Sequence, residues 1–185
     1  MWIDLTAPIT KYGETPDITH MDLYYTGWMS PVGSLITPCV VLDLTEGTSW
    51  SNPDFVPGME HLGAGWSVIF RTGWAQWRGT DRYAQSPSAD PRLLDRLLEK
   101  GVCLILVDSP GVVGGAAGPV HNEVDRRLAE ACAFAVENLV GVDALPVATP
   151  FTLYCFPLQM SAQNNAPCRV LANVPDEEER EERHV

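Results

Sequence analysis

Trp66-Ser67-Val68-Ile69-Phe70-Arg71-Thr72, then Pro91-Arg92-Leu93-Leu94-Asp95-Arg96-Leu97-Leu98-Glu99-Lys100-Gly101, then Gly101-Val102-Cys103-Leu104-Ile105-Leu106-Val107-Asp108: these three stretches decide the fold class. The first and last are continuous apolar runs with β-branched residues, as expected of strands covered on both faces. Between them Leu recurs at helical spacing, with Pro near the start and Gly past the end. Strand, helix, strand in that order is a βαβ unit, so the two strands should lie parallel and be joined right-handedly.

Outward from this unit, Cys39-Val40-Val41-Leu42-Asp43-Leu44 reads as another buried strand. Ile3 to Ile9 reads as a short opening strand ended by Pro8, and Gly58 to Gly65 as a connection. The segment from Thr10 to Pro38, rich in Gly, Pro, Tyr and Trp, reads as a functional loop. Glu123 to Ala135 is expected to be a second helix, with Val124, Leu128, Ala131 and Ala135 on one face, followed by short strands at Ala135–Leu139, Phe151–Pro157 and Val170–Val174. No internal repeat is evident. The expected architecture is one mixed α/β domain over residues 1–174 and an acidic tail over 175–185.

The chain has 185 residues, enough for one well-packed domain, with 45% hydrophobic and 19% charged residues. Its formal net charge is −12 and only 12 residues are Lys or Arg, which argues against a nucleic-acid partner. Asp176 through Glu182 has no apolar stripe and reads as a solvated tail. Five separated cysteines without a Cys-x-x-Cys pair point to reduced, buried thiols. No apolar run has membrane-spanning length, and Asp4 stands where a signal peptide would need basic residues, so a cytoplasmic location is expected.

Four segments, in this order, carry a resemblance: Val41-Leu42-Asp43-Leu44, Arg71-Thr72-Gly73-Trp74, Val107-Asp108-Ser109-Pro110 and Val136-Glu137-Asn138-Leu139. Together with Phe151 to Leu158 they resemble the bacterial cyclase family that includes kynurenine formamidase and isatin hydrolase, over most of Cys39 to Val174. The resemblance implies a swivelling β/β/α fold with a mixed sheet, chemistry at a carbonyl, and assembly as a homodimer or homotetramer. The family's signature is His-x-Gly-Thr-His-x-Asp-x-Pro-x-His, in which two His and the Asp bind a divalent metal and the last His acts as base. Here only Thr19-His20-Met21-Asp22 fits that frame. Pro16, Ile18, Tyr24 and Thr26 replace the first His, the Gly, the Pro and the last His. The resemblance further implies His121 and Glu137 as the downstream His and carboxylate ligands, at a longer separation than usual.

Each of these residues also has a plain structural reading. His20 and Asp22 lie two apart, so on an extended backbone they share a face; the plain alternative is that Asp22 merely caps a turn. His121 precedes the expected second helix, where a polar residue commonly caps free N–H groups. Glu137 lies in an apolar run, where an unpartnered carboxylate is costly, so it should have a cation, a donor or a proton. Arg71, Trp74, Trp77 and Tyr24 are the expected substrate contacts, since Arg71 to Trp77 follows a strand directly, where α/β folds build ligand sites. Two packed indoles over a Gly turn would explain the tryptophans equally well. Gly111 to Gly118 matches neither common phosphate-binding spacing and reads as a loop over the site.

The leading expectation is an enzyme that closes or opens a ring, or eliminates water, at a carbonyl of a small metabolite in bacterial secondary metabolism. His20, Asp22, His121 and Glu137 would act by acid and base catalysis, with metal absent or weakly bound. A Zn- or Mn-dependent amide or lactone hydrolase is the second reading, with the same four residues as ligands. A non-catalytic binding protein that kept the fold is the third.

Overall fold

The structure is a computed structural model, and it describes residues 1–8, 17–23, 35–45, 55–114, 119–159 and 165–176. Eight strands, β1 (Trp2–Asp4), β2 (His20–Asp22), β3 (Ile36–Asp43), β4 (Ser67–Arg71), β5 (Leu104–Val107), β6 (Phe134–Glu137), β7 (Phe151–Pro157) and β8 (Asn165–Asn173), form one sheet. Among the described residues two α-helices accompany them, α1 (Pro91–Glu99) and α2 (Pro119–Glu130). The mixed α/β class expected from the sequence is the one observed.

β3, β4, β5 and β6 run parallel. β2 lies antiparallel to both β6 and β8, and β7 antiparallel to both β3 and β8. Because β7 and β8 pair, the seven strands from β2 to β8 close into a barrel, and β1 adds to the far end of β8. The expected βαβ unit is the segment β4–α1–β5. Asp90 caps α1, its carboxylate accepting from the Arg92 N–H at 2.8 Å, and Pro91 fills the first helical position.

Two apolar layers follow from strand alternation. Met21, Cys39, Val41, Ile69, Leu104, Leu106 and Val136 fill the barrel interior with Leu153 and Val170. Val40, Leu42, Val68, Phe70 and Ile105 face outward, where Leu93, Leu94 and Leu97 of α1 and Val124 and Leu128 of α2 cover them. Each fully buried Leu of α1 contributes ~1.5–3 kcal/mol of transfer free energy. The parallel strands β5 and β6 are therefore buried at every residue, whereas β7 and β8 alternate buried with more exposed positions. Among the described residues no helix is long and apolar enough to cross a membrane.

Four expectations need correction. The last strand is Asn165–Asn173 rather than Val170–Val174. The segment Thr10–Pro38 is not wholly loop: it holds β2 and the first residues of β3, and short strands of three residues leave little periodicity to read. The opening strand is Trp2–Asp4 rather than Ile3–Ile9. The second helix begins earlier and ends earlier than Glu123–Ala135: Cys132 takes a left-handed φ of 55°, which breaks the helix, and Ala135 belongs to β6. Tyr24, Gly115–Gly118 and the tail beyond Asp176 lie outside the described residues.

Candidate functional site

The site lies on the outer face of the barrel, where β2 and β6 meet and α2 packs over them. Register places it there. Met21 and Val136 are paired and both point inward, so their neighbours His20, Asp22 and Glu137 point outward. His20 and Glu137 are direct cross-strand partners, and their side chains meet with His20 Nε2 3.4 Å from Glu137 Oε2. Both are nearly covered, at 11% and 4% side-chain exposure. The other ring nitrogen, Nδ1, lies 2.9 Å from the Ile18 carbonyl oxygen, which makes Nδ1 the donor.

From above, α2 brings two more groups. His121 and Asp125 lie one turn apart on the stripe that also carries Val124 and Leu128, so they face the sheet. His121 Nε2 is 3.2 Å from Asp125 Oδ2. His121 thus sits inside the first turn of the helix rather than ahead of it. Gly111 lets its ring approach: a Cβ there would lie 3.1 Å from His121 Cε1 and 2.8 Å from the Val113 carbonyl oxygen. Asp22, His121 and Asp125 each offer a ligand atom, and these atoms all lie within 4.8 Å of one another.

The electrostatics of the cluster are those of too much negative charge in too little water. Burial, then the charge of Asp22, push the Asp125 carboxyl up to about 7; Glu137 and a hydrogen bond with Asp22 act in the same direction, and His121 opposes them. For His20, burial is the largest influence and favours the neutral ring, yet the hydrogen bond and charge of Glu137, the Ile18 carbonyl and Asp22 together raise it above 6.5. Glu137 Oε1 and His121 Nδ1 are buried without a hydrogen-bond partner among the described residues. A buried carboxylate oxygen left in this state is costly unless a cation or donor reaches it.

Asn138 follows Glu137 with a left-handed φ of 63° and is 3% exposed. Its carbonyl accepts from Thr19 Oγ1 and from Arg78 Nη2, each at 2.8 Å, and its Oδ1 accepts from the Tyr83 hydroxyl at 2.9 Å. Burial raises the Tyr83 phenol, which stays protonated and donating.

Of the four residues expected to converge, His20 pairs with Glu137 while Asp22 and His121 meet Asp125, so the set of donors within 4.8 Å of one another is Asp22, His121 and Asp125. Sequence reasoning misses Asp125, although an acid four residues after His121 on an apolar helix stripe is a readable signal. Of the expected substrate contacts, Tyr24 lies outside the described residues, and the other three have partners within the protein. Arg71 pairs with Asp43 at the ends of β4 and β3. Trp74 donates its indole N–H to the Tyr83 carbonyl at 2.9 Å, and the Arg82 guanidinium lies 3.7 Å from the Trp77 ring centre. Asp108, whose carboxyl burial raises, receives the N–H groups of Thr72 and Gly73, each at 2.9 Å, and so shapes that turn.

Comparison with solved structures gives the same fold. An isatin hydrolase bound to the product analogue thioisatinate matches with a TM-score of 0.69 at 24% identity, covering 95% of this chain and 82% of that one. Isatin hydrolase A from Labrenzia aggregata, bound to benzyl benzoate, gives 0.73 at 20% identity over 95% and 94%. A "predicted metal-dependent hydrolase" from Bacillus stearothermophilus gives 0.69 at 20% identity over 93% and 97%. No curated protein matches the chain. The family model Cyclase, described as "Putative cyclase", matches residues 3–112, more than half of the sequence and the part that contains β2 with His20 and Asp22. The chain belongs to the Cyclase family, and with that family it is an enzyme.

Proposed function

We propose that this enzyme breaks or forms a bond at the carbonyl carbon of a small metabolite, as an amide or lactone hydrolase using a divalent cation held by Asp22, His121 and Asp125. The observation that carries this reading is the convergence of those three donors beside the buried His20–Glu137 pair. The residues fit such an ion. Two carboxylates and one imidazole suit Zn²⁺ or Mn²⁺, and three protein ligands leave a position open. The excess negative charge that holds Asp125 near 7 and the unpartnered Glu137 Oε1 both call for a cation. Asp125 supplies the third donor whose loss at Pro16 led to the expectation of a weak or absent metal. When bound, the cation polarises the carbonyl and makes water nucleophilic near neutral pH.

The protein's own groups move the proton. His20 Nδ1 faces the Ile18 carbonyl and Nε2 faces the Glu137 carboxylate, and in this reading Nε2 is the atom that exchanges its proton with substrate. Nε2 takes a proton from the attacking water and returns it to the leaving group, while the Glu137 carboxylate stabilises the imidazolium and fixes the ring. Ring closure or dehydration would use the same pair, and a carboxyl near 7 at Asp125 favours that acid–base variant as the second reading. A small-molecule substrate and a homo-oligomeric assembly belong to the proposal.

The test is protein purified without a His tag, titrated with Zn²⁺ and with Mn²⁺, and assayed on a panel of lactones, cyclic amides and N-formyl amides with and without chelator. Chelator-sensitive turnover is expected. Absence of stoichiometric metal binding together with chelator-insensitive turnover would transfer the case to the acid–base variant.

A further inference from the structure

With 24 Asp and Glu against 12 Lys and Arg, this chain has a carboxylate to spare for every cation. Arg71, Arg92, Arg96, Arg126, Arg127 and Arg169 each take one. Among the described residues, Arg78 and Arg82 pair with none, and both lie in the one segment between β4 and α1. Arg78, half-buried, donates to the carbonyls of Asp17 and Asn138 and so ties that segment to the site. Arg82 is exposed and makes a different contact: its Cζ lies 3.7 Å from the Trp77 ring centre and 5.5 Å from that of Trp74.

The two indoles form a fixed seat. Gly73 turns the chain past the end of β4 with a left-handed φ of 72°, Trp74 to Trp77 follow in a single 3-10 turn, and the Trp74 N–H is held by the Tyr83 carbonyl at 2.9 Å. A guanidinium this close to an indole face spends its flat side on the ring and leaves its in-plane N–H groups at the edge, in the fork that matches a carboxylate. The seat is also next to the reaction centre. Tyr83, which follows Arg82, gives its carbonyl to Trp74 and its hydroxyl to Asn138 Oδ1 at 2.9 Å, and Asn138 follows Glu137. Just past the carboxyl end of a parallel strand is where α/β sheets bind ligands. In a protein of net charge −12 an anionic substrate approaches against the overall field, so a local cation has to outweigh it. We propose that Arg82, stacked on Trp77 and Trp74, is a specificity-determining residue that receives a carboxylate borne by the substrate away from the carbonyl that reacts. The substrate class is then a lactone or amide that carries a free carboxylate. The proposal rests on the reading of the neighbouring centre as a carbonyl hydrolase.

Carboxylate binding is measurable without turnover and without metal. The full chain, treated with chelator, is titrated by calorimetry at low ionic strength with benzoate and with benzamide, its neutral isostere. Benzoate should bind about tenfold more tightly, and Arg82→Met, which keeps the stem and removes the fork, should abolish the difference. Arg96 sits on α1, where the chain returns toward the start of β5, and Arg96→Met changes the net charge equally, so it should keep the difference. On the metal-loaded enzyme, the ratio of kcat/KM for the ring carboxylic acid of the lactone phthalide to that for phthalide itself should fall about tenfold in Arg82→Met. Circular dichroism should find Arg82→Met and the milder Arg82→Gln folded; unfolding of both would make Arg82 a support of the fold and overturn the proposal. It is overturned equally by a wild type that does not prefer benzoate, by a wild-type preference or kinetic ratio in Arg82→Met, and by an equal loss in Arg96→Met, which would make the effect one of overall charge. Benzoate binding that depends on Arg82, with neither lactone turned over, counts against the hydrolase reading and leaves the carboxylate seat standing.

Discussion

Asp125→Asn should make the metal-free protein more stable at alkaline pH while weakening its response to metal, and the two effects have opposite signs for one reason. The Asp125 carboxyl rises from 3.8 to about 7 on folding, chiefly through burial and then the charge of Asp22. A raised acid binds its proton more tightly in the folded state, so its contribution to stability is fully present below pH 3.8 and is lost as pH rises through about 7. At ~1.4 kcal/mol per unit, the part lost between pH 5 and pH 9 spans about two units, or ~3 kcal/mol. For a chain of this size that is a fall in Tm of roughly 6–12 °C. His20, also raised, contributes in the same direction, its share being lost as pH rises through its own value above 6.5.

The amide introduced by Asp125→Asn would carry no charge at any of these pH values, so most of the slope should vanish in the variant. Metal acts on the same balance from the other side: saturation to about a hundred times Kd stabilises by ~2.7 kcal/mol, close to what ionisation of Asp125 removes. Wild type at pH 8 should therefore recover its lost stability on adding Zn²⁺ or Mn²⁺, and Asp125→Asn should recover little. The assay is thermal unfolding of chelator-treated protein between pH 5 and pH 9, repeated with added metal. Parallel pH curves for the two proteins would refute the reasoning, because the carboxylate would then not be under pressure from burial and Asp22.

Glu137→Gln keeps the shape of the pair and removes its charge, so folding should survive while kcat on any carbonyl substrate falls by about a hundredfold or more; near-normal turnover would make Glu137 structural. Gly111→Ala would push a methyl against His121, and Zn²⁺ affinity measured by calorimetry should drop by ~10–100-fold with the fold retained. The exposed side of the barrel carries Trp2, whose ring centre is 5.0 Å from that of Tyr154, beside Ile36 and Phe156, and a homo-oligomer should cover it. Light scattering should find a dimer or larger assembly at micromolar concentration, reduced towards monomer by Trp2→Glu.

The parallel half of the fold was legible because its signals are local: β4, α1 and β5 are long enough to show their period, and α1 is punctuated by Asp90, Pro91 and Gly101. The antiparallel half was legible only in part. β2 has three residues, and a strand so short is defined by the β6 and β8 backbones on either side of it rather than by any pattern of its own. That is also why the site was legible as a set of residues and not as a geometry. His20 and Asp22 stand out in the sequence, but nothing in it says that they lie on the face α2 covers; that follows from Met21 pairing with Val136 inside the barrel.

The division of labour within the site follows from the same register. Cross-strand pairing gives His20 one partner, Glu137, at a fixed distance, while the free corner beyond β2 leaves Asp22 to meet His121 and Asp125 from the helix. A sheet holds its pairs rigidly, and a helix lying on it sets the third dimension, so the proton-transferring pair and the candidate metal ligands are placed by different elements and should be separable by mutation. Displacing His121 by Gly111→Ala should weaken metal and leave the His20–Glu137 pair in place. Glu137→Gln should do the reverse, lowering kcat while Zn²⁺ affinity is kept. If either perturbation moved both readouts together, the five residues would have to be treated as one coupled centre, with Asp22 sharing its charge between the two halves as its influence on both His20 and Asp125 allows.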